Sequence, residues 1–214
     1  VFTSPSDSAP GQWTGIQFKA GSGASRLSHA DIRHGKGCIA ISEGASPVIE
    51  DSNVHHCKEV GVSISSGAAE IARNTIADNG NTGIVYTFAG TGNQLNIHDN
   101  VVEGNAAGGI RVTPSTSPSL TNVDFGGNEA IGNLGSSPAI SFRGAPIPPD
   151  IDENVLVGNS WNGIWVSGTV TESTSWQDRG YPMVSTHAGI TVANGDRHPA
   201  PDVPPQRNGA RSDG

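Results

Sequence analysis

Residues 61–86 read GVSISSGAAEIARNTIADNGNTGIVY, and the two patterns in this stretch decide the fold. Both ends carry a glycine followed by apolar, any and apolar residues, as in GVSI from Gly61 and GIVY from Gly83. Alternation of this kind predicts a short strand with one buried face. Between the ends, Ile71 and Ile76 are each followed three residues later by an asparagine. The stretch therefore predicts one unit of a repeat that contains several short strands.

Both patterns recur along the chain. The strand pattern has eight copies spaced 22 to 30 residues apart: GIQF from Gly15, CIAI from Cys38, GVSI from Gly61, GIVY from Gly83, GIRV from Gly109, AISF from Ala139, GIWV from Gly163 and GITV from Gly189. The second pattern has six copies: Leu27–Gly35, Ile49–Cys57, Ile71–Asn79, Ile97–Asn105, Leu120–Asn128 and Ile151–Asn159. A repeat of this length is typical of solenoids.

The period predicts an all-β fold, a single-stranded right-handed parallel β-helix of about 7–8 rungs. Rungs stack at about 4.8 Å, so each repeated apolar column buries against its own copy one rung away. Asparagine at the bends tolerates left-handed backbone, and its amide can bond to its equivalents in a ladder. A leucine-rich repeat is the main alternative. It needs several leucines and a helical segment in each repeat, and leucine is scarce here.

The repeats divide the chain into three parts. We expect β-helix repeats over residues 1–168 and an irregular last rung, or the start of a following module, over 169–194. Residues 195–214 are rich in proline and lack apolar periodicity, so we expect a disordered or non-native tail there. The connection after each glycine-led strand varies most in length, which favours binding on that face.

Composition excludes several classes of function. The net charge of −8 argues against nucleic acid or an anionic membrane as a partner. No apolar run approaches the roughly 20 residues of a membrane helix, so we expect no membrane insertion. The 29 glycines and 14 prolines disfavour a helical bundle.

The sequence resembles the right-handed parallel β-helix repeat family, whose pectate lyase-like fold is shared by pectate lyases and many bacterial surface proteins. VFTSPSDSAPGQWTGIQF and SRLSHADIRHG resemble the first rungs of β-helix modules in large secreted bacterial proteins, and TSWQDRGYPMVSTHAGITVANG resembles the start of a following module. The resemblance implies an extracellular or cell-surface location and neighbouring β-helix modules as partners. It does not specify an activity, because the family includes lyases, hydrolases, adhesins and scaffolds.

Aligned repeats predict a column of polar residues two positions after the first apolar anchor: His29, Asp51, Arg73, Asp99, Asn122 and Glu153. Asp51, Arg73 and Asp99 could form a catalytic site in which carboxylates hold Ca²⁺ and the arginine meets a sugar carboxylate, as in pectate lyase-like enzymes. A structural ladder of alternating charge is the favoured interpretation. The two aspartates would lie about 10 Å apart, and the neighbours Glu50 and Asp51 should point apart on a strand.

A second column holds His34, His56 and Asp78, followed by Gly104, Gly127 and Gly158. Two imidazoles and a carboxylate at one-rung spacing could bind Zn²⁺. The glycines supply no fourth ligand, so we favour solvated turn residues and no metal.

The outward position of the glycine-led strand predicts a third column: Gln17, Ala40, Ser63, Val85, Arg111, Ser141, Trp165 and Thr191. Arg111 and Trp165 are candidates for contact with a polysaccharide or cell-surface glycan, the arginine by paired hydrogen bonds and the tryptophan by stacking. Cover by a neighbouring loop or module is the alternative for Trp165.

The two cysteines, Cys38 and Cys57, lie on neighbouring rungs. Cys38 is at a corner and Cys57 at a bend several residues before the next corner, so their Cα atoms could exceed the roughly 7 Å limit for a disulfide. We expect small, buried, unpaired thiols.

The sequence thus favours a non-catalytic β-helix module of a secreted or cell-surface bacterial protein, a rigid scaffold with a glycan-binding or adhesion role. The alternative is a polysaccharide lyase or glycoside hydrolase that acts on acidic polysaccharide. No cofactor is expected for the scaffold, and Ca²⁺ is expected only for the lyase.

Overall fold

The chain folds as a parallel β-solenoid. A computed structural model describes residues 1–88, 93–114, 120–170 and 175–192. These residues form about seven turns of β structure with essentially no helix, which confirms the predicted all-β parallel β-helix.

The strands are short in the first turns, and several strands of the later turns are longer. In chain order they are β1 (Ile16–Phe18), β2 (Arg26–Ser28), β3 (Asp31–Arg33), β4 (Ile39–Ile41), β5 (Val48–Glu50), β6 (Asn53–His55), β7 (Val62–Ile64), β8 (Glu70–Ala72), β9 (Thr75–Ala77), β10 (Thr82–Phe88), β11 (Asn93–His98), β12 (Val101–Glu103), β13 (Gly108–Pro114), β14 (Leu120–Asp124), β15 (Glu129–Ile131), β16 (Ile140–Pro146), β17 (Val155–Val157), β18 (Ile164–Val170) and β19 (Met183–Val192). A 3-10 helix over Ile151–Glu153 stands between β16 and β17.

Three parallel sheets form the solenoid. The first sheet has the strand order β1-β4-β7-β10-β13-β16-β18-β19, the second β2-β5-β8-β11-β14, and the third β3-β6-β9-β12-β15-β17. Each of the first five turns therefore contributes one strand to every sheet. Residues one turn apart become neighbours, as the sequence period predicts.

The core consists of apolar stripes that run along the solenoid. The third sheet carries a buried stripe in register, made of Ile32, Val54, Ile76, Val102, Ala130 and Leu156. In the second sheet Ile71 pairs with Ile97, and Ile151 of the 3-10 helix is also buried. Burial of one such side chain contributes about 1.5–3 kcal/mol. Most of this burial is against the adjacent turns, so the turns stabilise one another.

Two ladders of asparagines, all buried except the half-buried Asn159, run beside the stripes, as predicted. The first comprises Asn74, Asn100, Asn128 and Asn154, and the second comprises Asn79, Asn105, Asn133 and Asn159. At one step, Asn100 Oδ1 accepts hydrogen bonds from the backbone N–H and the Nδ2 of Asn74, at 3.0 and 3.1 Å. The ladders satisfy buried polar groups in each turn that they cross and fix the register between those turns.

The left-handed backbone at the bends lies one residue before seven of the eight ladder asparagines and not on the asparagine itself. The exception is Asn154, which follows the 3-10 helix Ile151–Glu153. φ is +56° at Arg73, +54° at Asp99 and +51° at Asp78. Apart from Asn122 and Glu153, the residues of both predicted polar columns are therefore left-handed corners. Their side chains project from the outer surface while the asparagines point inward.

In the fifth turn the residues of the two columns differ from those predicted. Asp124 pairs with Asn96, so the first column contains Gly127, with φ of +68°, where the sequence predicted Asn122. The second column contains Gly132, with φ of +58°, in this turn. Glycine adopts this conformation at no steric cost.

The C-terminal end departs from the predicted register. Trp165 pairs with Val184, whereas Thr191 pairs with Thr169. The predicted eighth strand copy from Gly189 is therefore out of step with the other seven, and Val184 replaces Thr191 in the outward column. Within the predicted segment 169–194, β18 ends at Val170 and β19 follows. The predicted tail, 195–214, lies outside the described residues.

Cys38 and Cys57 form a disulfide with a Cα–Cα distance of 5.6 Å. The expectation of unpaired thiols is wrong. Along the chain, Cys57 is several residues from the next corner. In the solenoid, Cys57 closes its own turn and returns beside Cys38, where that turn began.

Candidate functional site

Asp51 and Arg73 belong to an ionic cluster around Glu50. Arg73 Nε is 3.1 Å from Asp51 Oδ1, and Arg73 Nη2 is 2.6 Å from Glu50 Oε2. Arg26 pairs with the other oxygen of Glu50, whose side chain is only 7% exposed. Hydrogen bonding to Asp51 raises the pKa of Arg73 above its ordinary value. Glu50 and Asp51 therefore converge on one arginine, contrary to the expectation that they point apart.

Asp99 lies on the next corner but is bonded elsewhere. Its Oδ2 is 2.9 Å from Nδ1 of His98. Asp51, Arg73 and Asp99 thus occupy successive corners, and the ion pair between Asp51 and Arg73 is one step of the expected charge ladder. Because Arg73 already contacts two carboxylates, it is not arranged to receive a sugar carboxylate.

The second column contains His34, His56 and Asp78 on successive corners. The rings of His34 and His56 are 6.1 Å apart between centroids, and His34 Nδ1 is 3.0 Å from Oδ1 of Asp7. Asp78 extends away from them, since a Cβ placed on Gly104 of the next turn would lie 2.5 Å from its Oδ1. Among the residues that the structure describes, no group of three or more His, Cys, Asp or Glu could hold a metal ion.

His55, which the sequence places on the same edge as His34 and His56, joins this group. His55 Nδ1 is 2.8 Å from Nδ1 of His56, and its Nε2 is 3.3 Å from Oδ1 of Asp31. Burial lowers the pKa of His55 below its ordinary value of 6.5, an effect that Asp31 opposes and His56 reinforces. Arg33 links Asp31 to the N-terminal segment by a second ion pair with Asp7.

The N-terminal segment is held by charge as well as by backbone pairing. Hydrogen bonds from Arg33 and Thr3 hold the pKa of Asp7 well below its ordinary value of 3.8. The same bond with Asp7 raises the pKa of Arg33 above its ordinary value. This edge is therefore a network of satisfied side chains around the first turns.

Arg111 and Trp165 lie on the outward face of the first sheet. Strand register places Arg111 opposite Ser141, and Ser141 opposite Trp165, on three consecutive turns. The two residues predicted for glycan contact thus share one column, two turns apart. Arg111 is exposed and Trp165 is partly buried.

Arg143 completes this group. Its guanidinium carbon lies 3.6 Å from the ring centroid of Trp165, and its Nε donates a 3.1 Å hydrogen bond to Ser141 Oγ. One face of the Trp165 ring is therefore covered by Arg143. The Trp161 ring is also near, with centroids 5.8 Å apart.

A pocket of about 160 Å³ opens beside this column. Arg111 and Arg143 line it together with the hydroxyl-bearing residues Thr82, Ser137 and Ser141. Burial, followed by the positive charge of Arg111, lowers the pKa of the Arg143 guanidinium. We define these features, with Trp165, as the two-arginine pocket.

Sequence reasoning missed Arg143. It lies two residues beyond Ser141, outside the four-residue strand pattern, in one of the variable connections. The variable length of those connections, which favoured binding on this face, is the sequence feature that could have pointed to Arg143.

The fold and the repeats together define a right-handed parallel β-solenoid. Residues 11–130 match the model of the right handed beta helix region, and the chain belongs to this family. No curated protein matches the chain. No solved structure matches it either. Over the described ranges, no helix has the length and apolar character needed to span a membrane.

Proposed function

We propose that this chain is a non-catalytic β-helix module of a secreted or cell-surface bacterial protein. In this proposal it acts as a rigid scaffold that presents a saccharide-binding face. The observation that carries the proposal is the outward column of Arg111, Ser141 and Trp165, with Arg143 completing a pocket beside it. Arginine and tryptophan are the side chains that bind sugar hydroxyl and acidic groups and stack on sugar rings.

Two further features support the scaffold and its location. The stripes and ladders tie each turn to the next, which favours a stiff rod. The disulfide between Cys38 and Cys57 favours an oxidising compartment, such as the exterior of the cell.

Saccharide binding is tested with a glycan array, followed by calorimetry on the saccharides that bind. Arg111→Ala should weaken binding by about tenfold or more. Lys19→Ala, which removes an exposed cation at the other end of the first sheet, should leave binding unchanged. Absence of binding to every saccharide, or equal loss in both variants, would count against the proposed face.

Polysaccharide cleavage is the alternative outcome. A lyase that used Asp51, Arg73 and Asp99 would need an arginine free to bind a sugar carboxylate, but Arg73 contacts Glu50 and Asp51. Turnover of polygalacturonate is measured with and without Ca²⁺. Turnover that Arg73→Ala abolishes, in a variant that still folds, would establish the enzyme in place of the scaffold.

A further inference from the structure

The two-arginine pocket differs from the surroundings of the other arginines that the structure describes. Four of these arginines form ion pairs with carboxylates, namely Arg26, Arg33, Arg73 and Arg179. Within the described ranges, Arg111 and Arg143 form no ion pair with a carboxylate. On a chain of net charge −8, two cations beside one pocket without a counter-charge form a local site for an anion.

Arg143 is oriented before any ligand binds. Contact with the Trp165 ring restrains the guanidinium on one side, and the hydrogen bond from Nε to Ser141 Oγ restrains its rotation. Ser141 is only 3% exposed, so this anchor is rigid. The two Nη groups make no hydrogen bond to the other described residues. A guanidinium held in this way offers parallel N–H donors along one edge, the geometry that binds a carboxylate or sulfate in bidentate fashion.

The charge of the pocket favours an anion over a neutral ligand. Burial and the charge of Arg111 both disfavour the charged form of Arg143. An anion between the two arginines would offset this repulsion. The hydroxyl of Ser137 on the pocket wall could contact a further oxygen of the ligand, whereas the hydroxyl of Thr82 donates to Asn81 Oδ1.

We infer that Arg111 and Arg143 together bind the acidic substituent of a saccharide, a uronate carboxylate or a sulfate ester. Ser141 and Trp165 are the positioning residues that hold Arg143. The inference rests on the proposed function, since it requires a saccharide on this face. A pocket of about 160 Å³ is smaller than a site for a drug-sized ligand. It therefore suits one acidic sugar unit, with the rest of the chain outside.

The test uses pairs of polymers that differ only in the acidic group. Polygalacturonate is compared with its methyl ester to test the carboxylate, and dextran sulfate with dextran to test the sulfate. Calorimetry at fixed salt should give about tenfold or higher affinity for the acidic member of one pair. The pair that shows the difference identifies the acidic group.

Variants then locate the binding to the pocket. Arg143→Gln should reduce affinity for the acidic polymer about tenfold or more and bring it close to that of the neutral partner. Arg143→Lys keeps the charge and loses the two parallel N–H donors of the guanidinium. Its affinity for the acidic polymer should lie between those of the wild type and Arg143→Gln. Trp165→Ala should weaken acidic binding more than Trp165→Phe, because phenylalanine still offers a ring to the guanidinium. Arg179→Gln removes a partly exposed arginine near Asp152 and should bind as wild type does.

The two possible failures are distinct. Equal affinity for acidic and neutral polymers, or acidic binding that Arg143→Gln leaves unchanged, would overturn the inference and leave the proposed function standing. If no polymer or array glycan binds, the proposed function fails, and the inference fails with it. Circular dichroism melts of each variant separate loss of binding from loss of fold.

Discussion

Cys38 and Cys57 face each other in the positions that glycine and asparagine occupy one turn later. A Cβ placed on Gly61 would lie only 2.8 Å from Nδ2 of Asn79, so this corner faces this ladder position directly. Cys57 occupies the ladder position too, since its backbone N–H donates to Oδ1 of Asn79. The disulfide therefore replaces a glycine–asparagine contact of the repeat.

The equivalence between the disulfide and the contact of Gly61 with Asn79 predicts how the disulfide can be replaced. The bridge closes a loop with a sequence separation of 19 residues, and a loop of this size contributes about 3 kcal/mol to the free energy of unfolding. Cys38→Gly with Cys57→Asn should lose less stability than Cys38→Ala with Cys57→Ala, because the first pair rebuilds the contact seen at Gly61. Urea unfolding of both double variants measures the difference.

A single-site control sharpens this comparison. Cys57→Asn alone keeps the Cβ of Cys38 at the corner, where it would crowd the new amide. This variant should be less stable than the glycine–asparagine double variant. If the single variant is equally stable, the Cβ of Cys38 does not crowd the new amide, and the explanation from the glycine–asparagine contact fails.

The asparagine ladder should be the most mutation-sensitive polar feature. Asn100 is fully buried, and its Nδ2 donates to Ile71 O and Asn128 Oδ1 while its Oδ1 accepts twice from Asn74. Asn100→Ala leaves several of these groups buried and unpaired, at about 1–3 kcal/mol each. We expect a loss of about 3 kcal/mol or more in the free energy of unfolding, measured in urea.

Two companion variants test the reason for that loss. Asn100→Asp should not rescue stability, because a carboxylate oxygen would replace the amide donor that faces Ile71 O. Asn53→Ala, at an exposed asparagine of β6, should change stability by less than about 0.5 kcal/mol. Equal losses at Asn53 and Asn100 would contradict the role of the ladder.

The sequence predicted the fold and most of the register because stacking requires the same residue types at equivalent positions of each turn. Isoleucine and asparagine recur wherever a column is buried, as at Ile71 and Asn74. The prediction failed in the fifth turn, where Ala130 holds a place that Ile76 and Val102 hold elsewhere. Because alanine is small, the apolar pattern is hard to recognise in this turn, and the sequence alignment therefore placed Asn122 in the column in place of Gly127.

The candidate site was predictable only in part. Arg111 and Trp165 were found because alternation along a strand sets which side chains point outward. Arg143 was not found, because its contact with Trp165 depends on how far β16 and β18 extend beyond the repeat. β16 and β18 have seven residues each, where β1 and β4 have three. The sequence pattern carries no information on that extension.

The cluster around Glu50 should contribute to stability and not to catalysis. Glu50→Gln removes a buried carboxylate from between Arg26 and Arg73. Both arginines are about half exposed and can return to water, so we expect a loss of about 1–2 kcal/mol, less than for a fully buried pair. Thermal or urea unfolding measures the loss. Asp51→Asn, at a more exposed partner of Arg73, should lose less than about 1 kcal/mol, and the reverse order would contradict the cluster.

Stability near pH 6 should depend on His55. Since burial lowers its pKa in the folded state below 6.5, the unfolded chain binds this proton more readily than the folded chain. The stability linked to His55 is therefore fully present above about pH 6.5 and falls as the pH drops towards the lowered pKa. His55→Gln removes this titration. The free energy of unfolding of the wild type should thus fall more steeply between pH 7.5 and 5 than that of the variant. This range extends about one unit or more on either side of the ordinary histidine pKa.

The control for this experiment is another histidine in the same surroundings of the first turns. His29→Gln changes an exposed histidine at a left-handed corner, outside the contacts of His55, and serves as the matched histidine-to-glutamine substitution. Asp7 does not interfere, because Arg33 and Thr3 keep its folded pKa far below this range. The folded and the unfolded chain therefore both carry its charge at pH 5 and above. If His55→Gln and wild type lose stability in parallel as the pH falls, the protonation of another group controls that loss, and the contact of His55 with His56 and Asp31 does not.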